Sequence, residues 1–184
     1  MPGSCDRFKS MAYCNGNFYA VTGTWDLLVC DTSTSPPETT VIWKLRGPTP
    51  PRFYLLEFPP ADNLLLVTRG SKLGNAGDSE FFSLFMLNWG GPLPEWSRID
   101  SIGDWVLFLS NNHSFALLAC ERTGCRPNCI YYGDPFYNFQ ELNVNEADHN
   151  IGVYSIEKES VQLIPCLLRN TGDWELASWV RHVH

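Results

Sequence analysis

Short apolar or alternating runs, separated by turn-forming residues, constrain the fold of this chain more than any other feature. The runs are rich in Val, Ile, Phe, Tyr and Trp, which suit the pleated and half-buried surface of a β-sheet. Turn formers such as Asp62 with Asn63, and Ser110 with Asn111 and Asn112, stand between them. The pattern predicts an all-β protein with twelve strands, at 18–22, 27–30, 40–45, 53–58, 64–68, 80–87, 96–99, 105–109, 113–119, 128–132, 152–156 and 161–163.

The strands recur in a degenerate repeat. Four segments, at 17–31, 52–70, 105–121 and 129–158, each contain two apolar runs around a polar interruption, with single strands between some of them. A unit of about four strands and about 40–50 residues is typical of a β-propeller blade. We therefore predict an incomplete β-propeller of about three four-stranded antiparallel blades, and a β-sandwich is the alternative.

The domain organisation follows from these blades. The partial propeller is expected over 15–168, after an N-terminal segment at 1–14 and before a C-terminal tail at 169–184 that could form a helix. Three blades are fewer than the four to eight that close a ring. We expect the chain to be a C-terminal fragment or truncated form of a longer propeller, with apolar blade faces left exposed.

The charge distribution excludes several classes of partner. Thirteen basic and 20 acidic residues give a net charge of -7, and the basic residues are scattered singly. This disfavours nucleic acid and an anionic membrane surface as partners. No run approaches the roughly 18 apolar residues of a transmembrane helix, and the start lacks the apolar region of a signal peptide. The chain is expected to be intracellular, either cytoplasmic or nuclear.

Three of the seven cysteines are candidate metal ligands. Their odd number, without a signal peptide, predicts reduced thiols. Cys120, Cys125 and Cys129 have the spacing C-x4-C-x3-C, but a zinc site would need Cys166 or His113 as a fourth ligand. Cys129 lies in an apolar run, where burial as a small hydrophobic residue is favoured. We predict no metal and no cofactor.

Residues that could support catalysis have simpler structural interpretations. Asp104 and Asp173 each lie in a Gly-Asp-Trp triplet, and we expect them to bond turn backbone. The glycine-rich stretch 70–77 lacks the residue order of a P-loop and is predicted to be a loop between strands. Trp174 and Trp179 in the tail either pack on the last blade or mark a contact surface. No catalytic residue is predicted, and the chain is not expected to be an enzyme.

Six elements, in their order and spacing over 15–164, resemble the plant F-box-associated propeller family, whose KIB-type β-propeller is a domain of unknown function. They are NGNFYAVT at 15–22 with LLVCD at 27–31, YLLE at 54–57 with LLLVTR at 64–69, FSLFMLN at 82–88, IGDWVLFLSNNHSF at 102–115, GCRPNCIYY at 124–132 and GVYSI at 152–156. Trp105 and Ser110 replace the Arg and Gly usual in that family, and the tail lacks its Pro-Trp-Phe ending.

The resemblance implies a function. In that family the propeller recruits a partner for ubiquitylation, while a separate F-box docks on the ligase adaptor. No F-box is present in this sequence, so direct docking on the adaptor is not expected. We therefore expect a non-catalytic protein-interaction module, resembling the substrate-recognition propeller of F-box proteins, with an unidentified protein partner. A propeller-type enzyme or sugar-binding domain is one alternative, and a truncated product without retained function is another.

Overall fold

The computed structural model describes residues 8–44, 52–61, 63–72, 79–110, 113–133 and 151–164. These residues form thirteen strands and one short 3-10 turn, and they contain no α-helix. No helix among them has the length and hydropathy needed to cross a membrane. The strands divide into three sheets, in two compact units that comprise Met1–Asp100 and Ser101–His184.

The first sheet is an antiparallel meander of four strands, with the order β1 (Phe8–Cys14), β2 (Asn17–Thr22), β3 (Asp26–Asp31) and β4 (Glu38–Lys44). Strand β1 is not among the predicted strands. The residues that it turns inward are Ser10, Ala12 and Cys14, which are too small to give a strong apolar signal. A two-residue turn with positive φ at Asn15 and Gly16 joins β1 to β2, as expected for a tight hairpin.

The second sheet repeats this meander with β5 (Arg52–Phe58), β6 (Asn63–Lys72), β7 (Ser79–Asn88) and β8 (Glu95–Ile99). The 3-10 turn Pro59–Ala61 lies between β5 and β6. Strand β6 is longer than predicted, because Gly70 continues the ladder and pairs with Phe81 instead of opening a loop. The Phe81 ring lies over Gly70 so closely that an added Cβ would stand 2.5 Å from its Cζ. Only glycine leaves room for this contact.

The third sheet contains β9 (Trp105–Leu109), β10 (Phe115–Leu118), β11 (Cys129–Tyr132), β12 (Gly152–Ser155) and β13 (Ser160–Leu163). Their order is β10-β9-β11-β12-β13, and β9 pairs parallel to β11. This differs from the predicted four-stranded antiparallel blade, because β10 forms a hairpin on one side of β9 and leaves the other side for β11. The Phe108 ring stacks on Phe115 at 5.2 Å and on Tyr131 at 5.1 Å, so one aromatic row links these three strands.

The core of the first unit lies between the first and second sheets. Its buried side chains come from the inward faces of both, and they are Cys14, Tyr19, Val21, Leu27, Leu55, Leu64, Leu66 and Leu87. Strand β1 packs beside β5, and the Ser10 hydroxyl accepts a hydrogen bond of 2.8 Å from the Leu55 backbone N–H. Two blade-like sheets packed face to face, with a third in the second unit, confirm the predicted all-β fold of incomplete propeller type. The tail 169–184 lies outside the described residues.

Candidate protein-interaction surface

The loop between β7 and β8, which we call the Trp89 loop (residues 89–94), presents two large apolar side chains to solvent. Trp89 is 49% exposed and Leu93 is 69% exposed. The loop has the sequence WGGPLP, in which two prolines restrict the backbone on either side of Leu93. The loop thus exposes one Trp and one Leu side chain at one end of the second sheet.

The Trp89 indole is exposed but held in place. Its Nε1–H donates a hydrogen bond of 3.0 Å to Oδ1 of Asn63 at the start of β6. The same Oδ1 accepts from the Leu64 backbone N–H at 2.8 Å, and the Asn63 amide nitrogen donates to the Leu87 carbonyl oxygen. The indole also lies 6.1 Å from the Tyr19 ring, measured between centroids. A Trp fixed before binding is the kind of anchor that dominates protein interfaces.

The first sheet presents a second apolar surface, which we call the free face. Residues on it point away from the core and form two rows across the strands. One row is Met11, Ala20, Leu28 and Val41, and the other is Tyr13, Phe18, Cys30 and Thr39. Exposure is high for four of these side chains: Met11 at 64%, Tyr13 at 55%, Phe18 at 47% and Val41 at 43%. None of the eight carries a charge.

The second sheet holds a buried ion pair on its own outward face. The Arg69 side chain is fully buried and donates to the Glu80 carboxylate, while its guanidinium lies 5.8 Å from the centroid of the Phe82 ring. Burial opposes the charge on Arg69, but the influence of Tyr54 and Glu80 outweighs it and raises the pKa of Arg69. The Arg69 guanidinium therefore remains charged, and its ion pair with Glu80 links β6 to β7.

The three cysteines weighed as zinc ligands, Cys120, Cys125 and Cys129, are not brought together as a metal site. Cys120 is exposed, Cys125 is half-buried and Cys129 is buried in β11, as predicted from its apolar run. Hydrogen bonding from the Thr123 backbone lowers the pKa of the Cys120 thiol, whereas burial raises the pKa of Cys129. Within the described ranges, no three His, Cys, Asp or Glu side chains are arranged to hold a metal ion. Cys166 lies outside those ranges.

The turn that contains Asp104 is stabilised by the side chain of Asn128, a residue that the sequence pattern did not single out. Asp104 is exposed, and it contributes its backbone carbonyl, which accepts from Ala119 at 2.8 Å. The side-chain acceptor is Asn128, whose Oδ1 accepts from the Ile102 backbone N–H at 3.0 Å and from the Ser101 hydroxyl at 3.3 Å. Asn128 has a φ of 52°, a left-handed conformation that Asn tolerates, and its place between Pro127 and a strand was the available signal.

Three of the other singled-out residues, Asp173, Trp174 and Trp179, lie outside the described residues. His113 is described and packs its ring 5.5 Å from that of Phe115, at the end of the aromatic row in the third sheet. Neither Trp89 nor the free face was identified from the sequence as a contact surface. An exposed Trp after a strand looks the same in sequence as a buried one, so no signal distinguished them.

Comparison with protein families agrees with this architecture. The model of the KIB1-4 beta-propeller family matches residues 1–155, which is most of the chain. The chain belongs to this family. The family description names a propeller and no reaction. The match begins before β1 and ends with the last residue of β12, so it includes all of the first two sheets and four strands of the third. No curated protein matches the chain, and no solved structure does.

Proposed function

We propose that this KIB1-4 propeller chain is a non-catalytic protein-recognition module, comparable to the propeller that selects substrates in F-box proteins. The observation that carries this proposal is the Trp89 loop, because its indole is about half exposed and still fixed by Asn63. Loops on a rigid sheet scaffold are the usual location of recognition residues. The partner is a protein with an apolar pocket able to receive an indole ring and the Leu93 side chain.

Binding through the Trp89 loop would add apolar contact at a low cost in entropy. Ordering a flexible Trp costs free energy, and the hydrogen bond to Asn63 has already restricted this one. Burying the rest of the ring against a partner then adds apolar contact with little further loss of entropy. Interface tryptophans of this kind typically contribute about 2 kcal/mol or more, which is roughly a thirtyfold change in affinity.

Affinity purification with mass spectrometry tests the proposal. The wild-type chain and the variant Trp89→Ala are used as baits in extracts of cells that express the protein. A partner that the wild type recovers is expected to fall at least tenfold with Trp89→Ala, and to fall less with Leu93→Ala. Trp89→Phe keeps an aromatic ring but loses the bond to Asn63, so its recovery is expected to be intermediate.

The matched control is Leu118→Ala, which removes an equally exposed apolar side chain from the third sheet. It is expected to recover the same partner as the wild type. Equal recovery by all five baits would refute a role for the Trp89 loop, and so would recovery of no specific protein by the wild type. Thermal melting of each bait shows that the variants remain folded.

A further inference from the structure

The connection between β10 and β11, which we call the Cys120 loop (residues 119–128), holds two free cysteines at the two ends of one turn. Cys120 is exposed and Cys125 is half-buried. The Cys120 carbonyl oxygen accepts hydrogen bonds from the backbone N–H groups of Thr123 at 3.0 Å and Gly124 at 3.2 Å, so residues 120–124 form a single tight turn. Gly124 has a φ of 62°, the left-handed conformation that ends such a turn before Cys125.

The Thr123 hydroxyl holds the two ends of this turn together. Its Oγ1 accepts a hydrogen bond of 3.1 Å from the Cys120 backbone N–H and one of 3.4 Å from the Cys125 backbone N–H. It also donates to the Cys120 carbonyl oxygen at 2.8 Å. Two bonds to one oxygen keep the two backbone nitrogens within about 6.5 Å of each other, which is comparable to the roughly 4.4–6.8 Å that a disulfide requires between its Cα atoms.

Both sulfur atoms are hydrogen-bonded to the same residue, but the two thiols differ in reactivity. The Cys125 Sγ donates to the Thr123 carbonyl oxygen at 3.4 Å. Hydrogen bonding from the Thr123 backbone, aided by the Arg122 backbone and its charge, lowers the pKa of the exposed Cys120 thiol. Because the thiolate is the nucleophile, Cys120 is the residue of this pair that reacts first with an oxidant in solution.

We propose that Cys120 and Cys125 are a modification site, at which hydrogen peroxide forms a reversible disulfide. The Cys120 thiolate attacks one peroxide oxygen, so that an S–O bond forms, the O–O bond breaks and the leaving hydroxide takes up a proton. The Cys120 sulfur is oxidised to a sulfenic acid, and the peroxide is reduced to water. Cys125 then gives its proton to solvent and attacks the Cys120 sulfur. The S–S bond forms, the S–O bond breaks and the oxygen leaves as water.

Peptide mapping after peroxide treatment of the full chain tests the disulfide. Trypsin cleaves after Arg122, so Cys120 and Cys125 fall on different peptides, which stay joined only where the disulfide has formed. With its remaining thiols blocked by N-ethylmaleimide before digestion, the wild type is expected to give the joined peptides, and dithiothreitol should separate them. Cys129 lies on the same tryptic peptide as Cys125, so Cys129→Ala is the matched control and should give the same joined peptides.

Dimedone, which labels sulfenic acids, separates the two chemical steps. Cys125→Ser should abolish the joined peptides and raise the labelling of Cys120 at least about tenfold over the wild type, because the sulfenic acid then has no thiol to condense with. Cys120→Ser should abolish both products. Thr123→Val keeps the shape of the side chain but removes the shared hydroxyl, so the ratio of joined peptides to labelled Cys120 should fall severalfold.

Three results would overturn the proposal. They are a wild-type chain that gives no joined peptides, joined peptides that survive Cys125→Ser, and equal labelling of Cys120 in the wild type and in Cys125→Ser. The Cys120 loop belongs to the second unit and the Trp89 loop to the first, so either proposal can fail without the other.

Discussion

The first and second sheets have the same strand order and the same antiparallel pairing, but they differ in what covers them. In the second sheet both faces of β5, β6 and β7 carry buried side chains, and those of the outward face include Tyr54, Leu65 and Val67. In the first sheet the inward face is buried and the free face is exposed. Strand alternation produces two apolar faces in both cases. Two sheets with the same topology can thus differ in role. The second sheet buries side chains on both faces, whereas the first buries one face and exposes the other to solvent.

The charged residues on the outward faces follow this difference. A fully buried Arg69 is stable only because Glu80 and its aromatic neighbours compensate it, and that arrangement suits a face shielded from water. The eight residues of the free face carry no charge, and its Tyr13 and Phe18 side chains are about half exposed to solvent. Four experiments, given in order of decreasing expected effect, test whether the two sheets differ as described.

Removal of the arginine should have the largest effect. Arg69→Ala leaves the Glu80 carboxylate without its partner on a mostly buried face, and we expect a loss of about 3–5 kcal/mol in the free energy of unfolding. Urea unfolding followed by tryptophan fluorescence measures it. The double variant Arg69→Met with Glu80→Leu removes both charges and should recover most of the stability. A loss below about 1 kcal/mol for Arg69→Ala would show that the pair is not structurally important.

Two adjacent leucines on β3 compare the faces of the first sheet directly. Leu27 points into the core and is 1% exposed, whereas Leu28 is half-buried on the free face. Leu27→Ala should destabilise the fold by about 2–5 kcal/mol, since it leaves a cavity. Leu28→Ala should cost about 1 kcal/mol or less, since the side chain is already partly exposed to solvent. Equal losses at the two positions would contradict the assignment of the faces.

A smaller effect is expected at Gly70 in the second sheet. Gly70→Ala forces its methyl group against the Phe81 ring, and we expect a loss of about 1–3 kcal/mol from overpacking. A double-mutant cycle with Phe81→Ala isolates the contact. If the clash is the cause, Gly70→Ala should cost much less when Phe81 is already alanine. An unchanged cost would assign the effect to the backbone instead.

The smallest effect concerns Tyr19 on the inward face of the first sheet. Burial, with a lesser contribution from Cys14, raises the pKa of Tyr19 above its ordinary value near 10. The folded state therefore favours the neutral phenol, so this contribution to stability is complete below about pH 10 and is lost as the pH rises through the folded value. Denaturation midpoints between about pH 8 and pH 11 should fall more steeply for the wild type than for Tyr19→Phe. Parallel curves would contradict burial of the hydroxyl.

The sequence predicted the strands well and their partners less well. All twelve predicted strands are present, because Val, Leu and aromatic runs between turn formers are local signals. Strand β1 was missed because its inward residues are small. Gly70 was predicted to lie in a loop because its stretch is rich in glycine, whereas in the structure it continues β6 and the Phe81 ring of the neighbouring strand occupies the space beside it. The parallel pairing of β9 with β11 depends on residues distant in sequence, which no local pattern reports.

The sequence by itself determined the fold class, the approximate strand positions and the family resemblance, since period, turn chemistry and motif order are properties of the chain. The tertiary structure alone decided which apolar faces are covered. It separated Trp89, fixed by Asn63 and exposed, from the buried aromatic residues, and it placed Tyr13 and Phe18 on one face. Burial depends on which sheet packs against which, and that is set by contacts among residues far apart in sequence.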